Sequence, residues 1–578
     1  MSRTIGTEHT RLQAWSFWFK SRGLQGRRLI QNCLSNLKHF SKSKEQAPEC
    51  ASHRSFLWHL DDPAELELAF GKVQNLRVAC QLLDGLAIPA GKTFSFWKQV
   101  GRTTRRRGFA VGRELREGCI LPNVGGGLCQ LSNGLYDLAL KCGFTIDERH
   151  AHTRVIPGSL AEQGRDATVF WNYVDLRFTA PVDYILRASL SKDHLILKVC
   201  SHQELALKQD SEPKHRLPDA IGNCLTCNHA SCFRSKPSDD KAMNFGRKAF
   251  LLDACWPEHD EWCQSEEDEH SLALLPLDGK RRGKPNYAWN LSRPQEAGWL
   301  TTLRRSLALR KLSAQGPARQ RTLLHYDRML AKAYLKRLSL SVQHLVVSQN
   351  LLPHLFETGA LGGRTYDVLM TRWPLQILHE KLNAAALQHP QSSTLTDFRA
   401  PDDVLALEST ALSNATRLVT PHQAMAAELK SLYPETEVTL LDWHLPEPVS
   451  APAQLPSALK KVFFPASALA RKGALELAAW AKDHNIEVLV LGSAQENEGE
   501  ALAGCRWRSA TREALAECDA LVLPAYVENQ PRLAITAMAK GIPIIVSTAC
   551  GIAPRRGVAI LDEPCDLFSW NTAKEEDA

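Results

Sequence analysis

Short apolar runs alternate with amphipathic segments between residues 461 and 547, and this alternation restricts the fold of the C-terminal part. Each run has five residues and is rich in Val, Ile, Leu or Phe: 461–465, 488–492, 520–524 and 543–547. The segments between them carry apolar residues at helical spacing. Strands separated by helices predict a parallel, doubly wound sheet, whose ligands bind at the carboxyl ends of the strands. Gly492 and Pro524 occupy two of those ends.

The whole chain is predicted to be a multidomain α/β protein. Its 578 residues are too many for one core, and a size prior suggests about three or four domains. A mixed α+β domain should be followed by two Rossmann-like doubly wound domains. The predicted segments are a basic amphipathic arm (1–50), the mixed domain (51–205), a cysteine-containing linker (206–243) and the two Rossmann-like domains (244–445 and 446–578).

Three glycines, Gly125 to Gly127, run directly into a cysteine that opens an apolar-periodic segment. This pattern predicts a loop that becomes a helix, with Cys129 in its first turn and Gly143 at its end. Unpaired N–H groups and the positive end of the helix dipole favour a thiolate there. Cys129 is therefore a candidate nucleophile, and an inert buried cysteine is the competing interpretation.

Two histidines and an aspartate follow Cys129 in the order found in thiol enzymes of the transglutaminase kind. The hypothesis makes Cys129 the nucleophile, His150 or His152 the base, and Asp166 the group that orients the imidazole. This is an analogy at the level of the fold. The alternatives are ligand binding by the glycine loop and simple packing of Cys129.

Five motifs in residues 50 to 200 together resemble the VanW family, which is named for an accessory protein of vancomycin resistance operons. They occur at 94–96, 100–102, 125–132, 148–152 and 164–169. The resemblance covers about a quarter of the chain. It implies a role connected with the bacterial envelope and leaves the chemistry of the domain open.

Three cysteines interrupt the polar linker. Cys224 and Cys227 form a C-x-x-C pair, and Cys232 follows five residues later. Such spacing suits a small structural zinc site, with an iron–sulfur cluster as the alternative occupant. Cys200, His229, Cys255 or Cys263 could supply a fourth ligand. Without a metal, these would be reduced surface thiols.

The C-terminal half resembles the sugar-nucleotide-binding domain of GT-B glycosyltransferases. The resemblance rests on motifs at 472–473, 490–492, 523–528 and 537–547. It implies that Lys472, with Gly473 and Gly492 beside it, contacts a donor diphosphate. It also implies that Glu528 faces the sugar or nucleotide and takes part in catalysis.

Two departures from the GT-B pattern bear on nucleotide binding. Ser467 stands where the family has an arginine, and Thr536 stands where it has a second glutamate. Losing both charged groups should weaken nucleotide binding by several kcal/mol, because charge-assisted hydrogen bonds are each worth roughly 1.5–3 kcal/mol. The candidate substitutes are Arg471, Arg532, Arg555 and Arg556, of which Arg532 is assigned to the donor site.

The N-terminal arm and the overall charge bear on the location of the protein and on the partners that it could bind. Residues 1–49 contain nine Lys or Arg against three acids and no apolar segment of a secretory signal, so we expect a cytoplasmic protein. Aromatic residues among these cations could hold the arm on the inner face of the membrane, or the arm could pack on the first domain. A net charge of +7 suits a nucleotide or an anionic surface and does not indicate nucleic acid.

Three functions follow from these features. The leading hypothesis is a glycosyltransferase of envelope or surface polysaccharide synthesis, which passes a sugar from a nucleotide donor to an envelope glycan or lipid-linked acceptor. The second is a non-catalytic glycan-binding or scaffold protein with a degenerate GT-B half. The third places the only activity at Cys129, as acyl transfer or peptidase-like chemistry.

Overall fold

A computed structural model of the chain shows two compact units. It describes residues 22–32, 35, 37–58, 66–116, 119–152, 154–155, 164–205, 207, 219–220, 247–313, 316–397, 399–446, 454–456, 458–493, 495–496 and 501–570. The first unit comprises the described part of Met1–Arg247 with Ser339–Gln343 and Thr358–Arg364. The second comprises Lys248–Leu338, His344–Glu357 and the described part of Thr365–Ala578.

The first unit is a mixed α+β structure, as predicted. A four-stranded antiparallel sheet has the order Glu49–Phe56, His194–Cys200, Tyr184–Leu190, Leu86–Ile88. A three-stranded antiparallel sheet has the order Thr93–Ser95, Arg177–Thr179, Thr145–Glu148. Two further pairs are the hairpin Val111–Arg116 with Cys119–Val124, and the parallel pair Arg154–Val155 with Asp219–Ala220.

The helices of the first unit are 22–32, Leu66–Leu83, Phe96–Val100 and Cys129–Lys141, with a 3-10 turn at Arg105–Arg107. Two of them, Leu66–Leu83 and Cys129–Lys141, pack against the four-stranded sheet. The strand Thr93–Ser95 ends at Ser95, whose side chain caps the helix that follows. Gly143 adopts φ +67° directly after the helix that opens at Cys129. The left-handed conformation predicted for Gly143 is therefore present.

The described part of the arm packs on the first unit. The helix at 22–32 runs through Gly23 and Gly26. Arg28 forms an ion pair with Glu148, and the Arg177 guanidinium donates to Asn32 Oδ1 at 2.7 Å. These contacts favour the packed arm of the two alternatives. The aromatic residues Trp15, Phe17, Trp18 and Phe19 lie outside the described residues.

The second unit contains two parallel sheets, which confirms the prediction of α/β folding for the C-terminal region. The seven-stranded sheet has the order Pro294–Glu296, Leu272–Leu275, Arg247–Leu251, Val342–Ser348, Thr365–Leu369, Arg417–Thr420, Glu437–Leu440. The six-stranded sheet has the order Arg506–Ser509, Glu487–Val490, Lys461–Phe464, Ala520–Leu523, Ile544–Ser547, Val558–Leu561.

Helices connect these parallel strands. With the seven-stranded sheet they are Pro257–Glu266, Gly279–Arg282, Trp299–Arg310, Pro317–Leu335, Leu352–Glu357, Leu375–Gln388, Asp402–Ser413 and Gln423–Leu432. With the six-stranded sheet they are Ala474–Asp483 and Arg532–Ala539, joined by 3-10 turns at Ala470–Lys472, Arg512–Glu517, Thr548–Cys550 and Pro564–Ser569. Numbered along the chain, the strands of the smaller sheet run 3-2-1-4-5-6, the Rossmann order. Its switch point lies between Lys461–Phe464 and Ala520–Leu523.

In the part of the chain that the structure describes, no helix combines the length and apolar character needed to span a membrane.

The helix Leu66–Leu83 approaches the hairpin so closely that Gly71 has no room for a side chain. A Cβ atom there would lie 1.7 Å from Val111 O. We expect Gly71→Ala to destabilise the first unit by about 1–3 kcal/mol, because the backbones must separate. Gly26→Ala, in a helix with nothing within 4 Å of the new atom, is the matched control. Scanning calorimetry of the full chain should show a lower transition temperature for the first substitution alone, and equal temperatures would contradict the packing.

Candidate functional site

The glycine loop before Cys129 is held in a conformation that requires glycine. Gly125 and Gly127 have φ of +86° and +94°. A Cβ on Gly127 would lie 2.1 Å from Cγ of the buried Lys72. Asn75 donates its amide to Gly126 O at 2.9 Å and fixes the loop to the helix Leu66–Leu83. The following helix begins at Cys129, so the thiol lies at the positive end of the helix dipole.

His152 and Asp166 meet Cys129 in a chain of hydrogen bonds. Nδ1 of His152 lies 2.7 Å from Oδ1 of the buried Asp166, whose other oxygen accepts the His152 backbone N–H. The His152 ring also acts on the thiol of Cys129, because its hydrogen bonding and charge lower the pKa of that thiol. The carboxylate therefore fixes the ring, and the ring is directed at the sulfur.

The strand-like segment that carries Asp166 is clamped to the Cys129 helix. Ser132 Oγ donates to Ala167 O at 2.5 Å, and Asn133 Oδ1 accepts the Ala167 N–H at 2.8 Å. Thr168 Oγ1 lies 3.8 Å from the Cys129 sulfur, and the Val169 N–H donates to that sulfur. One helix thus supplies the thiol and holds the segment that orients the imidazole.

The electrostatics favour a thiolate–imidazolium pair. Burial disfavours the charged form of Cys129, but the hydrogen bond and charge of His152 outweigh it and lower the pKa of the thiol. For His152, burial lowers the pKa, but the hydrogen bonds to Asp166 and Cys129 prevail and raise it to about 10. The two pKa values are thus shifted in opposite directions, which favours a thiolate paired with an imidazolium.

A buried cluster of charged residues fixes the segment that carries Asp166. Asp137, in the middle of the Cys129 helix, pairs with Arg165 and accepts from His53 Nδ1 at 2.7 Å and Lys141 Nζ at 2.9 Å. Burial, then the charges of Lys141 and Arg165, lower the pKa of His53 to about 4, so this ring is neutral at pH 7. Because Arg165 immediately precedes Asp166, its pairing with Asp137 fixes the backbone that presents the carboxylate.

The structure therefore brings together three of the four residues assigned to this site. His150 lies apart from them: half of its side chain is exposed, and Nε2 is 3.4 Å from Glu148 Oε1. Sequence reasoning missed the supporting residues Ser132, Asn133 and Asp137. These residues lie three, four and eight positions after Cys129 and face the same core. That helical spacing is the one signal that could have indicated their supporting role.

The residues assigned to a donor site lie at the switch point of the six-stranded sheet. Lys472 Nζ is 2.8 Å from Glu528 Oε2 and donates to Val527 O at 3.1 Å. Burial raises the pKa of Glu528, but Lys472 outweighs it and the pKa is lowered, so the pair is charged. Gly473, at φ +76°, has no room for a side chain, because a Cβ atom would lie 1.8 Å from Pro524 O. The structure thus places Lys472, Gly473 and Glu528 together.

The loop at Glu528 is covered by residues from the seven-stranded half. Trp373 Nε1 donates to Glu528 O at 3.1 Å, and His422 Nε2 lies 3.1 Å from the same oxygen. Both side chains are fully buried. A Cβ on Gly551 would lie 2.0 Å from His422 Nδ1, so this contact also requires glycine.

Arg532 has a different neighbour from the one implied for it. Its guanidinium pairs with both oxygens of the buried Glu258, at 2.5 and 2.6 Å, and lies over the rings of Trp256 and Trp443. The two α/β halves are therefore joined through this cation. At Gly492 a Cβ would lie 2.3 Å from Ser467 Cα, so the two strand ends touch. The Thr536 hydroxyl donates to Arg532 O at 2.8 Å.

The predicted cysteine metal site cannot be placed, since Cys224, Cys227 and Cys232 lie outside the described residues. Within the described ranges, no three His, Cys, Asp or Glu side chains are grouped as ligands of a metal ion. Cys200 and Cys263 are free and buried there.

Comparison with known proteins identifies the domain that carries Cys129. Residues 71–200 match the family model described as VanW like protein. This confirms a VanW-like domain in the first unit. The match covers the helix Leu66–Leu83 from Gly71 onward and continues through the Asp166 segment to the strand that ends at Cys200.

Two curated proteins are similar to part of the chain. The uncharacterized protein YoaR of Bacillus subtilis (strain 168) is 30% identical over 151 residues, 25% of this chain and 49% of that protein. The vancomycin B-type resistance protein VanW of Enterococcus faecalis (strain ATCC 700802 / V583) is 32% identical over 138 residues, 23% of this chain and 50% of that protein. The chain spans about half the length of the curated relatives it matches.

A solved structure is similar over a larger share of the chain. Anabaena Alr3699/HepE in complex with UDP and glucose is 12% identical, covering 58% of this chain and 90% of that chain with a TM-score of 0.32.

The lowered pKa of Cys129 leads to a pH-dependent prediction. A thiolate that persists below the ordinary thiol pKa of roughly 8.5 should react with iodoacetamide at pH 6–7, ahead of the other cysteines. His152→Ala should slow this reaction by about tenfold or more, because the thiol then loses the interaction that outweighs burial and its pKa rises. Peptide mapping by mass spectrometry measures the rate. His150→Ala is the matched control, and equal slowing by both substitutions would contradict the assignment of His152.

Proposed function

We propose that the VanW-like domain is a thiol-dependent acyl-transfer enzyme of the bacterial envelope, with Cys129 as nucleophile. The observation that carries the proposal is the chain of contacts from Cys129 to His152 to Asp166. Three residues on one stretch of the chain, from Cys129 to Asp166, meet in the order that activates a thiol. Neutral packing of Cys129 would not require a buried carboxylate aimed at a histidine.

The geometry supports a two-step reaction. The Cys129 thiolate attacks the carbonyl carbon of an amide or ester and forms a tetrahedral adduct. The His152 imidazolium then gives its proton to the leaving nitrogen or oxygen, and the C–N or C–O bond breaks to leave a thioester. Water or an amine next attacks the thioester, His152 takes its proton, and the thiolate is released.

The residues have separate roles in this scheme. Asp166 orients His152 and stabilises the imidazolium, and the Val169 N–H with Thr168 stabilises the thiolate between turnovers. Arg165 and Asp137 are positioning residues. Because the proposed attack is on the carbonyl carbon of an amide or ester, peptides and esters are the first substrates to test.

Acyl-enzyme formation tests the proposal. With an activated acyl ester, we expect one acyl adduct on Cys129 and none on Cys129→Ala, measured by intact-mass spectrometry. His152→Ala should acylate more slowly by about 10²–10⁴-fold, the usual share of acid–base catalysis. Cys142→Ala is the matched control, because burial raises the pKa of that thiol to about 12. Adducts that persist in Cys129→Ala would contradict the proposal.

We further propose that the second unit binds a nucleotide sugar for transfer to an envelope glycan or lipid-linked acceptor. The contact of Lys472 with Glu528 at a Rossmann switch point supports this candidate. A second version of this proposal is a non-catalytic glycan-binding or scaffold unit. It is supported by the pairing of Arg532 with Glu258 and by the uncharged Ser467 and Thr536. Either version suits a protein at the cytoplasmic face of the membrane.

A thermal-shift experiment separates these versions. A UDP- or GDP-sugar at 100 times its dissociation constant should stabilise the second unit by about 2.7 kcal/mol. Lys472→Ala should abolish the shift. Arg532→Ala should lower the transition temperature without ligand, because Glu258 then remains buried and unpaired, while leaving the shift in place. No shift with any nucleotide sugar would exclude donor binding.

A further inference from the structure

The helix Trp299–Arg310 presents its apolar side chains to solvent. Trp299, Leu300, Leu303 and Leu307 are 45, 48, 50 and 49% exposed, and no residue of the helix is buried. At 100° per residue these four side chains fall within one arc of about 100°. They form a continuous surface, which we call the leucine face.

The opposite side of the same helix makes polar contacts with the protein. Arg305 pairs with Asp327 at 3.0 Å and lies 3.7 Å from Asp253, and both aspartates are buried. The helix is thus inverted relative to an ordinary surface helix, whose apolar side faces the core. Rotating the helix about its axis to bury the leucines would break the ion pair between Arg305 and Asp327.

Cations surround the leucine face. Arg304, Arg310 and Lys311 are exposed, and the chain has no Asp or Glu between Ala297 and Ser313. The neighbouring helix Gly279–Arg282 adds Lys280 and Arg281, and the Arg282 guanidinium lies 5.9 Å from the Trp299 ring.

The carboxylates at the edge of this surface are engaged within the protein. Asp278 accepts the Arg281 N–H at 3.0 Å, and Glu296 accepts from Arg282 at 2.7 and 2.8 Å. The cations around the leucines therefore exceed the acids, and the surface has a positive field.

We propose that the leucine face lies on an anionic membrane surface, with Trp299 and the leucines in the interface and the cations on lipid phosphates. Apolar side chains ringed by Arg and Lys match the headgroup region of such a bilayer, and a tryptophan is suited to that depth. A second copy of the chain fits worse, because two such faces would bring like charges together. A 12-residue helix is too short to cross a bilayer and is suited to lying in the interface. The proposal is independent of both proposed functions.

Vesicle binding by the full chain tests the proposal. We expect sedimentation with mixed phosphatidylglycerol and phosphatidylcholine vesicles, and weaker binding to pure phosphatidylcholine or at high salt. Replacing Leu300, Leu303 and Leu307 by Ser should lower the partition coefficient about tenfold or more. Leu387→Ser removes a leucine that is 85% exposed on another helix of the same unit and is the matched control. Inorganic phosphate should not compete at concentrations that match the lipid phosphate.

Binding through the N-terminal arm is separated from binding through the leucine face by two further measurements. The comparison is repeated with Trp15→Ser and Trp18→Ser, so that the N-terminal arm does not mask the helix, and amide hydrogen exchange of residues 299–311 should slow on vesicles. Unchanged partition of the triple variant in both backgrounds, with unchanged exchange, would overturn the proposal. Concentration-dependent self-association without vesicles that the triple variant loses would show instead that a second copy covers the face.

Discussion

The site in the first unit depends on the clamp between the Cys129 helix and Ala167. Ser132 and Asn133 together bind both backbone polar groups of Ala167. Asp166 precedes this residue and Thr168 follows it, so the clamp fixes the carboxylate and the contact to sulfur at once. The glycine loop fixes where the same helix begins. A shift of the helix would therefore move the thiol and the imidazole support together, which preserves their geometry.

The first turn of the Cys129 helix and its middle carry charges with different roles. At its first turn, the positive end of the helix dipole stabilises the thiolate. In its middle lies Asp137, whose charge is neutralised by Arg165 and Lys141. The buried Asp137 cluster has its charges paired, so it stabilises structure without competing for the proton of Cys129. In the Cys129–His152 pair, by contrast, the pKa of the thiol is lowered and the pKa of the ring is raised, which favours transfer of the thiol proton to the ring.

Much of this site could be predicted from the sequence, because its elements lie on one stretch of about forty residues. The helix start, Cys129 and Asp166 were identified by motif and order, but the choice between His150 and His152 was not. These histidines are two residues apart, and only the fold of the segment decides which ring meets Asp166. Ser132 and Asn133 are ordinary helix-surface types, so their partner at Ala167 was not visible in the pattern.

In the second unit the long-range pairings were the unpredictable part. Strand order places Lys472 and Glu528 at the switch point, as motif and alternation indicated. The partner of Arg532 is Glu258, which lies in the other α/β half and carries no motif. Lys472 and Arg532 are each paired with a carboxylate. The Arg532–Glu258 pair joins the two α/β halves, and the Lys472–Glu528 pair fixes the loop at the switch point.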